Sequence, residues 1–68
     1  MVRKIKTLVE WYEKFKNVKP TKIIMNPSDL AFIREELKLD YLTELKTLFN
    51  MKVIVDVTVD RIIITHED

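Results

Sequence analysis

Apolar positions recur at helical spacing along the first sixteen residues. At about 100° per residue, Ile5, Leu8, Val9 and Tyr12 cluster on one side, Trp11 and Phe15 widen that stripe, and Arg3, Thr7 and Lys14 lie opposite. The pattern predicts an amphipathic helix over residues 3–16. Asn17-Val18-Lys19-Pro20 ends it, because Asn tolerates a left-handed position and a proline biases the residue before it away from helix. The run Thr21–Met25 then reads as a short strand.

The next stretch changes period. Asn26 fits a helix N-cap, Pro27 fits the first helical position, where no N–H is needed, and Asp29 meets the positive end of the helix. A second helix is expected from Pro27 to about Leu37, with Leu30, Ile33 and Leu37 facing inward and Phe32 off the stripe. Leu39-Asp40 breaks the pattern. Asp40 is a plausible cap for a third helix carrying Tyr41, Leu42, Leu45, Leu48 and Phe49, with Asn50 as its left-handed end. Lys52–Val57 is β-branched and reads as a strand, with Val53 and Val55 facing one way and Ile54 and Asp56 the other. A turn near Thr58-Val59-Asp60 leads to a last strand over Arg61–Thr65, and His66-Glu67-Asp68 reads as a solvated polar end. The order is helix-strand-helix-helix-strand-strand. It predicts one compact α+β domain with helices packed on a small sheet.

Composition narrows the classes of function. A chain of 68 residues buries only about 60% of the surface its unfolded form exposes. It has no cysteine, hence no disulfide and no thiolate zinc site. Self-association is therefore an open route to stability. With no glycine, a phosphate-cradling loop in its usual form is excluded. The longest apolar runs are too short for a membrane span, and no signal peptide is apparent, so a soluble cytoplasmic protein is the default expectation. The net charge is only +1, but it is unevenly spread: residues 1–22 hold seven Lys/Arg against Glu10 and Glu13, and residues 23–68 hold five against nine acids.

Catalytic chemistry finds little support. His66, Asp56, Asp60, Glu67 and Asp68 could be drawn as a metal cluster, but they lack regular ligand spacing. Asp56 and Asp60 could be drawn as an acid/base pair, yet turn chemistry explains them more simply. Ser28 has no histidine near it in sequence and no evident third group. No enzyme activity, cofactor or metal is expected. Two binding readings remain. Trp11 and Phe32 are candidate anchors for a protein partner or for self-association, although each could equally be packed under neighbouring elements. In the alternative, Arg3, Lys6, Lys14 and Lys16 on the basic N-terminal helix contact nucleic acid, with Trp11 or Tyr12 stacking on a base.

Two blocks carry a resemblance to a known family. Pro20-Thr21-Lys22-Ile23-Ile24-Met25-Asn26-Pro27-Ser28-Asp29-Leu30 resembles the strand–turn–helix of the major capsid protein fold shared by tailed bacteriophages and encapsulins. Thr47-Leu48-Phe49-Asn50-Met51-Lys52-Val53-Ile54-Val55-Asp56 is similar to that family's later run into a strand of the same axial domain. There Asn50 stands at the family's glycine and Lys52 at its proline. The resemblance implies an assembly role without catalysis or cofactor, in a chain much shorter than a full shell protein and so similar to an isolated axial-domain core.

Overall fold

The computed structural model describes residues 1–40 and 44–66. Helix α1 spans Val2–Lys16, strand β1 Lys22–Met25, helix α2 Pro27–Glu36, and strands β2 Thr47–Leu48, β3 Met51–Val55 and β4 Ile63–Thr65 follow. The strands form one mixed sheet in the order β2-β3-β1-β4. β1 runs parallel to β3, and antiparallel pairing joins β4 to β1 and β2 to β3. The α+β class, with helices packed on a small sheet, is as the sequence predicts.

Local chemistry sets the boundaries. α1 ends at Asn17, whose φ of 58° is left-handed and whose N–H donates to the Glu13 carbonyl. Asn26 caps α2: its side-chain oxygen accepts from the Asp29 N–H at 2.8 Å, and Pro27 occupies the first turn. At the other end of α2, Lys38 turns left-handed at φ 56°. The Lys38 N–H then reaches the Glu35 carbonyl and the Leu39 N–H that of Arg34, the paired closing bonds of a Schellman motif.

The third helix is a correction. Tyr41, Leu42 and Thr43 lie outside the described residues, but residues 44–46 are non-helical and Thr47–Leu48 is β2. The observed order is thus helix-strand-helix-strand-strand-strand. Asp40 caps no helix among the described residues; its carbonyl accepts from the Arg34 guanidinium at 2.6 Å. Phe49 and Asn50 form a two-residue turn between β2 and β3 with φ of 50° and 64°, the double positive φ that a tight hairpin needs. A Leu/Phe/Asn run at helical spacing was indistinguishable from this hairpin until Leu48 found Met51 as its cross-strand neighbour.

The sheet register assigns the faces. Ile23, Met25, Met51, Val53 and Ile64 share one face, and Lys22, Ile24, Lys52, Ile54 and Ile63 the other. The core joins Ile23, Met25, Leu48 and Met51 to Ile5 of α1 and Ile33 of α2. Both helices therefore cover the same face, with α1 over the edge strand β4. On the open face Ile54, Ile24 and Ile63 line up across β3, β1 and β4. No helix among the described residues is long and apolar enough to cross a membrane.

Candidate functional site

Helix α1 carries two apolar stripes, and only one is used internally. Ile5 is fully buried, and Val2, Val9 and Tyr12 are half-buried beside it. Leu8, Trp11 and Phe15 follow one another at spacings of three and four, which places them on a second line roughly a quarter turn away. They are exposed: Trp11 by 61% and Phe15 by 67%. Their rings lie 4.7 Å apart at an interplanar angle of 43°, so they form one patch. The expectation that these aromatics merely widen the buried stripe is therefore corrected. The core face of α1 is already satisfied by Ile5, and a ring a quarter turn away overhangs the sheet edge.

This second stripe lines a shallow groove of about 290 Å³ together with Tyr12, Lys16, Ile62 and Ile64. No residue of α2 lines it, so the groove opens past β4, an edge strand. Tyr12 is held in place by His66: the Tyr12 hydroxyl is hydrogen-bonded to His66 Nδ1, and the rings meet edge-on with centroids 5.8 Å apart. His66 is accordingly half-buried and does not belong to a solvated tail; Glu67 and Asp68 lie outside the described residues.

The other sequence candidates scatter. Phe32 is 53% exposed and borders a separate small hollow with Glu35 and Glu36, so Trp11 and Phe32 are both exposed but lie on different helices and share no groove. Arg3, Lys6, Lys14 and Lys16 are all exposed. On an α-helix, Lys14 falls beside the Leu8–Trp11–Phe15 line, while Arg3 and Lys6 fall well round from it.

Asp56 and Asp60 do not face one another across a pocket. Asp56 accepts from the Thr58 N–H at 2.9 Å and the Thr58 hydroxyl at 2.6 Å. These bonds, the hydroxyl's foremost, hold its carboxyl below the ordinary aspartate value. Asp60 pairs with Arg61 at 3.5 Å on an exposed turn. Ser28 is exposed in the first turn of α2, and His66 is engaged with Tyr12. Among the described residues no three His, Cys, Asp or Glu side chains are grouped to hold a metal.

Phe15, Leu8 and the edge pair Ile62 and Ile64 are what sequence reading did not single out. The signal for the helix half was present: Leu8, Trp11 and Phe15 repeat on a line distinct from Ile5, Val9 and Tyr12. The signal for the strand half was not, because edge position depends on strand order. Compared with protein-family models, curated proteins and solved structures, the chain matches none.

Proposed function

We propose that this protein is a non-enzymatic interaction module that works by self-association, as a small assembly unit. The observation that carries the reading is the exposed aromatic patch of Trp11 and Phe15, continuous with Leu8, Ile62 and Ile64 beside an open sheet edge. Large apolar surface of this kind costs free energy in water and is characteristic of protein contact sites. The resemblance to the axial-domain core of phage and encapsulin shell proteins supports an assembly role. It gains weight from two joints: Asn26 caps α2 directly after β1, and Asn50, at the position of that family's glycine, has φ of 64°, where glycine is the default residue. Sedimentation equilibrium over a wide range of protein concentration tests the reading. The expected result is a mass that rises reversibly above 8.2 kDa; a strict monomer throughout would overturn it.

The exposure of Trp11 also favours a second reading, as a nucleic-acid binder. A ring open to solvent beside Lys14 and Lys16 is available to stack on an unpaired base. A mobility-shift titration at low salt decides it: binding must appear with single-stranded DNA or RNA and weaken steeply as salt is added.

A further inference from the structure

We infer that two copies of this chain pair edge to edge through β4, with Ile63 opposite Ile63 of the second copy, so that the two sheets join and the two α1 helices pack together. The inference rests on the self-association reading above and specifies its geometry.

Three features of the molecule converge on it. First, β4 closes one end of the sheet, and its residues Ile63-Ile64-Thr65, preceded by Ile62, are β-branched and uncharged. An edge of that composition is suited to pairing with another strand. Second, the exposed stripe of α1 turns toward this same edge, because its groove is completed by Ile62 and Ile64. Third, antiparallel pairing about a two-fold axis perpendicular to the sheet keeps both helices on one face. That holds only if residues of like face oppose one another. Placing Ile63 against Ile63 meets this condition and sets Ile62 against Ile64.

The dimensions fit. Adjacent strands lie about 4.8 Å apart. With α1 over β4 and Ile5 reaching the β1 side chains in the core, each helix axis sits near the gap between the two strands. Two such axes related by the two-fold are about 10 Å apart, within reach of direct helix packing. Leu8, Trp11 and Phe15 of one helix then meet the same line of an antiparallel helix. On the open face, the row Ile54-Ile24-Ile63 continues into its counterpart. One axis covers both the α1 stripe and the β4 edge.

The size of the contact sets its strength. Aromatic side chains present roughly 150–250 Å² when fully exposed, and Trp11 and Phe15 retain more than half of theirs. Adding Leu8, Ile63 and the strand backbones gives several hundred Å² per copy, at the lower end of stable interfaces. Contacts of that size form reversibly and depend on protein concentration. The flanking charges have a definite sign. Lys4 falls on the stripe and Lys14 borders it, whereas Arg3 and Glu10, seven residues apart, share a line further round and Glu13 lies on the far side. Like charges meet across the axis, so salt should strengthen this pairing by screening. Salt would weaken the capture of an acidic protein or a nucleic acid on the same face.

The absence of native cysteine makes a direct test possible. Residues directly opposite in an antiparallel pair have Cα atoms about 4.5–5.5 Å apart, within disulfide range. The Ile63→Cys chain, mildly oxidised with copper–phenanthroline, should form covalent dimer rapidly, while Ser28→Cys on α2 should not. Lys22 and Ile24 of β1 face Thr65 and Ile63, so the outward amide of β4 is that of Ile64; in the unmodified chain it should gain hydrogen-exchange protection, and Trp11 should lose access to quencher, as concentration rises. Phe15→Glu, on an exposed site, should keep the monomer folded by circular dichroism and weaken association roughly tenfold or more. A dimer that leaves the Ile64 amide and Trp11 unprotected, crosslinks equally through Ser28→Cys, or loosens with salt overturns this geometry while self-association stands. A strict monomer at every concentration removes both.

Discussion

Met1 and Glu36 are bound to each other across the domain: the Met1 amine donates to one Glu36 carboxylate oxygen at 2.6 Å, while the Val2 N–H donates to the other at 2.9 Å. The last residue of α2 thus serves as the cap that α1 lacks within its own sequence, where Met1 supplies no side-chain acceptor. A carboxylate at a helix N-terminus satisfies free N–H groups and complements the helix dipole. It also ties the two helices together at one end of the layer.

That bond makes stability depend on pH. The amine hydrogen bond, then that from Val2, holds the Glu36 carboxyl below its ordinary value of 4.5. A depressed carboxylate contributes stability that is fully present above the unfolded value and is lost as pH falls through the folded one. Asp56, depressed by Thr58, adds in the same direction. Thermal unfolding should therefore lose midpoint temperature as pH drops below about 4.5. Glu36→Gln should lower the midpoint at neutral pH and flatten the acid slope; an unchanged slope in that variant would refute the assignment.

Asn26 gives a second measurable. Its side chain accepts from the Asp29 N–H at 2.8 Å and its amide reaches the Val59 carbonyl at 3.5 Å, joining the start of α2 to the loop before β4. Asn26→Ala should cost about 0.5–2 kcal/mol. In a domain of this size each 1 kcal/mol moves the midpoint by roughly 4–8 °C, which calorimetry resolves easily.

The β2–β3 turn should be improvable. Phe49 holds φ of 50°, a region costing a residue with a Cβ roughly 1–2 kcal/mol, and its ring is partly exposed. Phe49→Asn should raise stability by about 0.5–1 kcal/mol, since Asn tolerates this conformation better. Asn50→Ala should lower it by about 1 kcal/mol. Urea titrations with unchanged m-values would report both, and opposite signs would show the turn to be wrongly described.

Core truncation should be severe. Ile33 is the fully buried residue of α2 and packs with Ile5, Ile23, Met25 and Met51. Ile33→Ala should cost about 2–5 kcal/mol, a large part of the roughly 3–10 kcal/mol available to a chain of this length. Circular dichroism should find the variant largely unfolded at moderate temperature, whereas Ala at exposed Phe32 should leave the transition nearly in place.

Sequence by itself determined the elements whose signals are local. The 3.6-residue period ended by Asn17, the Asn26-Pro27-x-Asp29 start, and the β-branched runs around Ile23 and Ile54 each carry their own boundary chemistry, so α1, β1, α2 and β3 fall within a residue or two of where those signals put them. What only the tertiary structure decided depends on neighbours distant in the chain. Leu48 lies in a strand because Met51 pairs with it and the sheet offers an edge there; the same residues satisfy a helical period equally well. Trp11 and Phe15 are exposed because α1 lies over β4 and nothing among the described residues lies beyond that edge. Periodicity tells which residues share a side of a helix. Which side is buried depends on strand order, and strand order is set by long-range pairing.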